Sequence, residues 1–193
     1  RRGLALTPVR FGISFTTSFL NQAGALIHVY KDGSVQLNHG GTEMGQGLYI
    51  KVAQVVSEVL GVDLEQVQIT ATRTDKVPNT SATAASSGSD LNGWAAKLAA
   101  LELRDRLTAF WCESQSIKGA LRFEGGEVLA EDGRRWPFTA LVKAAYLGRV
   151  SLSATGYYRT PKIDWDAKTG QGRPFLYFAY GCLLYTSDAA DES

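Results

Sequence analysis

The chain has 193 residues, 45% of them hydrophobic, so it is long enough to bury one sizeable core. Its 20 basic and 19 acidic residues give a net charge of +1 without a basic block, which argues against nucleic acid or an anionic membrane as a partner. The apolar runs are too short to cross a membrane, two histidines are too few for a multi-histidine metal site, and the two cysteines match no zinc or redox spacing. A cytoplasmic protein is the default expectation.

The first half of the chain predicts a hairpin, a helix and a further strand. Asp32-Gly33 between two alternating segments is typical of a tight hairpin turn, because glycine accepts the positive φ that such a turn needs. Apolar side chains then recur at helical spacing up to Gly61, a natural helix end. In chain order the predicted elements are a strand over 23–30, a strand over 34–38, a helix over 48–60 and a strand over 66–72.

The second half predicts two helices and several strands. The longer helix has an apolar stripe made of Leu91, Ala95, Leu98, Leu101 and Leu107. The predicted elements are a helix over 90–111, a hairpin over 123–129, a helix over 138–146, a strand over 150–158, turns over 159–174 and a strand over 175–180. The whole pattern predicts an α+β fold with mixed strands and with helices that follow glycine-rich or small-residue loops, as part of something larger.

Two small-residue loops each run into a predicted helix. The first loop covers residues 39–47 and contains four glycines, and the second covers residues 79–89 and is rich in serine, threonine and alanine. The backbone N–H groups of such loops and the positive end of a helix dipole favour an anion such as a phosphate or pyrophosphate. The two loops therefore indicate one large anionic ligand held from two sides. The alternative for the second loop is a mobile linker.

The familiar phosphate-binding motifs do not match these loops. No Gly-Lys-Ser or Gly-Lys-Thr of a P-loop occurs, and Gly45-Gln46-Gly47 lacks the third glycine of a dinucleotide-binding fingerprint. Glu43 could act as a base, but pairing with a nearby lysine or arginine, or with backbone donors, is the simpler interpretation. His39 could bond a cofactor phosphate or pin the loop, and Lys51 could balance ligand charge or face solvent.

Seven stretches of the chain carry a family resemblance: residues 11–16, 20–30, 39–48, 77–81, 83–86, 90–93 and 158–161. In these stretches the chain resembles the xanthine dehydrogenase family, in its molybdenum-pterin-binding domain, and in particular the large subunit of the bacterial split form. Related aldehyde oxidases share residues 43–47 but usually differ where this chain has Thr-Ala-Ala-Ser at 83–86. A departure from the family lies at Tyr49-Ile50, where His-Thr is common.

The resemblance implies an oxidoreductase that contains molybdenum and molybdopterin and oxidises hypoxanthine and xanthine towards urate, with water as the oxygen source. It implies substrate contacts for Phe15, against the purine face, and for Thr16, although Phe15 in isolation would be assigned to core packing. Ala85 is expected next to the metal. The implied cofactor-binding residues are Gly45, Gln46, Gly47, Thr83, Ala84, Ala85, Ser86, Ser87 and Gly88.

The resemblance also implies what this stretch lacks. The carboxylate base and the residues that hold the purine lie outside it, so no catalytic residue is assigned. Iron–sulfur clusters and FAD are expected on missing regions or on a partner subunit, in a hetero-oligomer, and the fragment alone is expected to be inactive. The alternatives are an aldehyde or other N-heterocycle oxidoreductase of the same superfamily, and a non-catalytic remnant that holds no cofactor.

The end of the chain breaks the aromatic pattern that precedes it. Residues 182–193 resemble the conceptual translation of a transposon adapter used to prepare DNA sequencing libraries. We therefore expect residues 1–181 to form a partial molybdenum-pterin-binding domain and residues 182–193 to be a non-native tail. The alternative is an ordinary acidic tail.

Overall fold

The computed structural model describes residues 2–77 and 79–188, which form eleven strands and three helices. The predictions that include residue 78 or residues 189–193 lie outside the described residues at those positions. The helices are α1 (Leu48–Leu60), α2 (Gly88–Ser114) and α3 (Phe138–Leu147). The strands are β1 (Arg2–Ile13), β2 (Gln22–Val29), β3 (Val35–His39), β4 (Val67–Ile69), β5 (Leu121–Glu124), β6 (Glu127–Ala130), β7 (Arg135–Pro137), β8 (Ser153–Arg159), β9 (Asp164–Asp166), β10 (Gln171–Arg173) and β11 (Tyr177–Asp188).

A four-stranded sheet in the order β4-β3-β2-β8 forms the centre of the fold. β2 is antiparallel to both β3 and β8, and β3 is parallel to β4. α2 packs on β2 and β8, and α1 packs on α2, so the sheet and the two helices enclose one hydrophobic core. The α+β class with mixed strands is confirmed.

The predicted hairpin and the first predicted helix are both confirmed. Along β2, Ala25, Ile27 and Val29 are buried and alternate with half-buried residues, as expected for a strand with one face on the core. Gly33 supplies the positive φ of the turn, at 87°. α1 has the predicted bounds and ends at Gly61 in the left-handed conformation.

The long helix is confirmed, but its predicted apolar stripe is only partly correct. Leu91, Ala95 and Leu107 are buried, whereas Leu98 is 38% exposed. The buried face includes several alanines because the helix lies very close to β8: a Cβ added at Gly156 would lie 2.0 Å from the carbonyl oxygen of Ala95. Small side chains at this contact permit the close approach.

The remaining elements surround this core. β5, β6 and β7 form a three-stranded meander beside α3. The predicted hairpin, now β5 and β6, and the predicted helix are confirmed, whereas β7 was not predicted. β4 is shorter than the predicted strand over 66–72: a short helical turn occupies residues 64–66, and the strand ends at Ile69. β8 starts at residue 153 rather than 150. β9 and β10 form a hairpin within the segment predicted to contain turns.

β1 and β11 form a separate two-stranded ribbon. β1 was not predicted: its residues are exposed over most of its length, so no alternation of buried and exposed positions marks it. The strand predicted over 175–180 is confirmed from Tyr177 and extends through residues 182–188, which pair with residues 2–8. No helix within the described residues is long and apolar enough to cross a membrane.

The close contact between β8 and α2 yields a test of the fold. We expect Gly156→Ala to lower the free energy of unfolding by about 3 kcal/mol, because the backbone of α2 cannot yield to the added methyl group. Gly93→Ala is the matched control: its Cβ would have its nearest neighbour at 3.9 Å, and helix propensity predicts a gain of about 0.5–1 kcal/mol. Urea denaturation of both variants measures the difference, and equal stabilities would contradict this packing.

Candidate functional site

The two small-residue loops meet where α1 and α2 begin. A Cβ added at Gly88 would lie 3.6 Å from the side chain of Leu48, so the first residues of the two helices are neighbours. Between the loops lies a cavity of about 380 Å³, within the range typical of small-molecule sites. It is lined from the first side by Met44, Gln46, Leu48 and Lys51, and from the second side by Thr83, Ala84, Ser86, Gly88 and Ser89.

Direct contacts hold the loops together. The backbone N–H of Thr42 donates to Thr83 Oγ1 at 2.8 Å, which bridges the two loops. A Cβ at Gly40 would lie 2.4 Å from Thr80, and one at Gly41 would lie 2.7 Å from Asn92 Nδ2. Gly40 is therefore required for the close approach of the first loop to the second loop, and Gly41 for its close approach to the first turn of α2.

Glu43 binds the backbone donors of the first loop. Its Oε1 accepts from the N–H groups of Gly45 and Gly47, at 2.9 and 3.0 Å, and its Oε2 accepts from the N–H of Tyr49 at 3.0 Å. The hydrogen bond from Tyr49, with those from the glycines, holds the pKa of this carboxyl below its ordinary value. Of the interpretations considered for Glu43, the structure supports the one in which its carboxylate pairs with backbone donors. These N–H groups are engaged and do not face the cavity as free anion donors.

Gln46 folds back on its own loop while it lines the cavity. Its Oε1 accepts from the N–H of Met44 at 2.6 Å, and its Nε2 donates to the carbonyl of Thr42 at 2.9 Å. One amide hydrogen remains for a ligand. Lys51 donates to the carbonyl of Gln46 at 2.9 Å and brings a positive charge to the same wall.

The second loop contributes backbone rather than long side chains. Ala85 and Ser86 both adopt φ of 53°, the left-handed region that non-glycine residues rarely occupy. α2 starts directly afterwards, and no N-cap side chain bonds its first turn. Gly88 and Ser89 of that turn line the cavity, so the positive end of a 27-residue helix faces it.

Asp90, in the same first turn, faces a different hollow. That hollow is lined by Trp94, Lys97 and Tyr177, among others, and not by the loop residues of the first cavity other than Ser89. Burial raises the pKa of the Asp90 carboxyl, and a hydrogen bond from Tyr177 partly offsets this effect. Its carboxylate therefore does not occupy the cavity between the loops.

The structure brings together five of the nine predicted cofactor-binding residues as cavity walls: Gln46, Thr83, Ala84, Ser86 and Gly88. The other four, Gly45, Gly47, Ala85 and Ser87, are their direct neighbours in the chain but do not line it. Met44, Leu48 and Ser89 were not predicted. Leu48 and Ser89 could have been indicated by their position where the loops end, and Met44 by its place beside Gly45 in the first loop.

Phe15 and Thr16 lie apart from the cavity walls, in the segment between β1 and β2. Asn21 holds Phe15 with two 2.8 Å hydrogen bonds, one from the backbone N–H of Phe15 and one from Asn21 Nδ2 to its carbonyl. Phe15 is half-buried and Thr16 is exposed.

His39 is a buried part of the first loop, 2% exposed. Its Nδ1 accepts from the N–H of Gly41 at 3.1 Å, so the neutral ring carries its proton on Nε2. The ring packs edge to face against Tyr49, with centroids 5.2 Å apart. Of the two interpretations considered for His39, the structure supports the one in which His39 fixes the loop, through its hydrogen bond with Gly41. Tyr49, which stands where histidine is common in the family, packs against the His39 ring, and its hydroxyl forms a hydrogen bond with the hydroxyl of Thr72 at 3.2 Å.

The fold and cavity define a ligand-binding domain in which two loops and two helix starts surround one site. The profile of the molybdopterin cofactor-binding domain family matches residues 1–186. The chain belongs to this family.

Curated relatives agree with this assignment. The chain is 49% identical over 181 residues to a xanthine dehydrogenase/oxidase of Felis catus and 46% identical over 184 residues to a xanthine dehydrogenase of Oryza sativa subsp. japonica. These matches cover 94% and 95% of this chain but only 12% of each relative. The resemblance found in the sequence is thereby confirmed for this domain, and the chain spans a small part of the proteins that it matches.

Solved structures share the fold at lower identity. A reconstituted CO dehydrogenase from Oligotropha carboxidovorans superposes with a TM-score of 0.76 at 18% identity, covering 96% of this chain and 23% of that chain. An aldehyde oxidoreductase from Desulfovibrio gigas superposes with a TM-score of 0.68 at 19% identity, covering 96% of this chain and 18% of that chain. At these identities the similarity shows the fold alone.

The role of Glu43 can be tested by hydrogen exchange. We expect Glu43→Gln to speed exchange at the amides of Gly45, Gly47 and Tyr49, because a neutral amide oxygen replaces a charged acceptor of three N–H groups. Glu58→Gln, at an exposed position of α1, is the control and should leave these rates unchanged. Unaltered protection in Glu43→Gln would refute the internal cap.

The buried His39 predicts a pH dependence of stability. Desolvation lowers the pKa of His39 from 6.5 to about 4 in the folded chain, so below pH 6.5 the unfolded chain takes up a proton that the folded chain refuses. The stabilisation is complete above pH 6.5 and falls by roughly 3 kcal/mol as the pH decreases to about 4. His39→Gln keeps an acceptor for Gly41 without titrating, so urea denaturation at several pH values should show a flatter profile. A profile parallel to that of the unmodified chain would exclude His39 as the cause.

Proposed function

We propose that the chain is the part of a molybdenum hydroxylase that holds molybdopterin between its two small-residue loops, and that the whole protein is a xanthine dehydrogenase. This oxidoreductase would oxidise hypoxanthine and xanthine towards urate with water as the oxygen source. The observation that carries the proposal is the shared cavity, where Gln46 faces Thr83 and Ser86. The names of the curated relatives support the substrate class.

The residues present fit an elongated anionic ligand with a planar, polar part. The uncapped start of α2, at Gly88 and Ser89, together with Lys51, offers positive potential for a phosphate end. Gln46 has a remaining amide hydrogen for a polar edge, and Thr83 and Ala84 leave room for bulk. When bound, the molybdenum centre of this cofactor supplies the redox chemistry, and the chain supplies placement and electrostatics.

The predicted neighbours of the cavity have supporting roles in this proposal. Gly45 and Gly47 let the first loop turn, with φ of 94° and 74°, and Ser87 fixes the second loop through a bond from its Oγ to the carbonyl of Ala84 at 2.9 Å. Ala85 would stand beside the metal, where a side chain without atoms beyond Cβ leaves space for a substrate.

Phe15 and Thr16 would contact the purine. The two hydrogen bonds between Asn21 and the backbone of Phe15 support this role, because they fix the backbone that orients the Phe15 ring. Other parts of the whole protein would complete the substrate pocket and supply the catalytic base.

The whole protein would be larger and would contain further cofactors. Iron–sulfur clusters and FAD, on other regions or on a partner subunit, would carry the electrons away, in a cytoplasmic hetero-oligomer of the bacterial split form. The support is that the chain covers only 12% of its curated relatives. We also propose that residues 182–193 are a non-native tail. The nucleotide sequence that encodes these residues is the direct test.

A second candidate is an aldehyde or other N-heterocycle oxidoreductase of the same superfamily. The stretch at residues 43–47, which the sequence shares with the aldehyde oxidases, supports it. A third candidate is a remnant without cofactor. The internal capping of the first loop by Glu43 is compatible with it, since that loop needs no ligand to satisfy its donors.

The contact between Thr42 and Thr83 yields the decisive variant. In the full-length parent, produced with its cofactor, Thr83→Val removes the bridge between the loops at nearly constant volume, and we expect molybdenum and pterin content per protein to fall about fivefold. Thr108→Val, farther along α2, is the matched control and should keep the full content.

The outcomes separate the candidates. Urate formation from xanthine by the parent supports the first, and oxidation of aldehydes or quinolines alone moves the assignment to the second. A full-length parent that contains neither molybdenum nor pterin supports the third candidate, the remnant without cofactor. Equal cofactor content in the two threonine variants would contradict the location of the site between the loops.

A further inference from the structure

A second cavity opens at the end of the central sheet, where β2 begins and β8 ends. Its volume is about 680 Å³, and none of its lining residues lines the cavity between the loops. Its walls come from the segment before β2, including Phe19 and Asn21, and from the end of β8 and the residues after it, including Arg159, Thr160 and Lys162.

The charge of this second cavity is positive and uncompensated. Arg159 and Lys162 line it, no acidic side chain does, and within residues 2–77 and 79–188 neither cation has an ion pair. The cavity beside the β5–β7 meander is different, because its arginines are paired with acidic side chains: Arg122 with Glu124, Arg134 with Asp132 and Arg135 with Glu127. The nearby Asp164 lies opposite Arg173 in the β9–β10 ladder.

The wall that carries these cations is held in place. The backbone N–H of Thr160 donates to the carbonyl of Asn21 at 3.0 Å, and Asn21 is itself bonded to Phe15. Tyr157 donates to Gln22 Oε1, and Gln22 Nε2 donates to the carbonyl of Phe19 at 2.6 Å. The buried hydroxyl of Thr160 has no hydrogen-bond partner in the described part of the chain, which leaves one polar atom unsatisfied beside two free cations.

We propose that this second cavity binds a phosphate group, either free or carried by a small molecule, through Arg159 and Lys162. A guanidinium offers paired N–H donors that match phosphate oxygens, and an ammonium adds a compact charge. The cavity is larger than a phosphate ion needs, and Phe19, 70% exposed, gives it an apolar wall for the remainder of a ligand. This site stands independently of the proposed cofactor site, since the two share no residue.

The test is a titration of the ¹⁵N-labelled 193-residue chain with inorganic phosphate and, separately, with adenosine monophosphate, at constant ionic strength. We expect saturable shifts of the amides of Asn21, Gln22 and Thr160 with dissociation constants in the millimolar range or below, about −4 kcal/mol or more favourable. Tighter binding of the monophosphate assigns the ligand as a phosphorylated small molecule, and equal binding assigns it as phosphate itself.

Single variants locate the site. Arg159→Gln and Lys162→Gln should each weaken binding about fivefold, because each removes one charged donor from an exposed site. Lys143→Gln, at an exposed position of α3, removes a charge outside the cavity and should change the affinity less than about twofold. Circular dichroism melting checks that each variant is folded. Shifts that remain linear with phosphate, or an Arg159→Gln/Lys162→Gln double variant that binds like the unmodified chain, would overturn the proposal.

Discussion

The positive ends of α1 and α2 lie side by side, and the architecture of the site follows from how their charge is balanced. Leu48, the first residue of α1, lies beside Gly88 at the start of α2, where an added Cβ would be 3.6 Å from the Leu48 side chain. Two unpaired helix starts in contact repel each other and leave donors without acceptors. Glu43 resolves this conflict for α1 by accepting three N–H groups. The start of α2 keeps its potential towards the cavity, so a single anion can complete the arrangement.

The scaffold makes this juxtaposition rigid. α2 lies on β2 and β8 with almost no space at Gly156, and α1 lies on α2. The first loop follows β3 directly and enters α1, while Ser81 of the second loop donates from its backbone to the carbonyl of Gln22 at the start of β2. Both loops are therefore anchored at neighbouring strands of one sheet and both lead into packed helices. A ligand between them meets a preformed site and needs to order little of the chain.

Much of the fold was predictable because local patterns carried it. The β2–β3 hairpin is marked by Asp32-Gly33 and by alternation, and α1 by its apolar spacing up to Gly61, and these elements are present as predicted. β1 was missed because its partner β11 lies at the far end of the chain and neither strand has a buried face to impose alternation.

The chemistry of the site was less predictable than its location. The composition of the two loops predicted that they bind one ligand between them, and five of the predicted cofactor-binding residues line the same cavity. The assumption that glycine-rich backbone leaves its N–H groups free failed at Gly45 and Gly47, because the sequence does not reveal that Glu43 turns back onto them. Lys51 was one of several possible charged partners, and only its contact with Gln46 places it at the wall.

The second loop shows what the site costs in stability. Ala85 and Ser86 in the left-handed region are each strained by about 1–2 kcal/mol relative to ordinary backbone. Glycine at both positions would relieve this strain but would also free the loop in the folded chain. Alanine and serine are small enough to tolerate the conformation while limiting the alternatives, and Ser87 adds a bond to Ala84 that holds the turn. The strain is thus retained where a narrow, fixed wall is needed, next to the open end of α2, and the well-packed helices on either side supply the stability that sustains it.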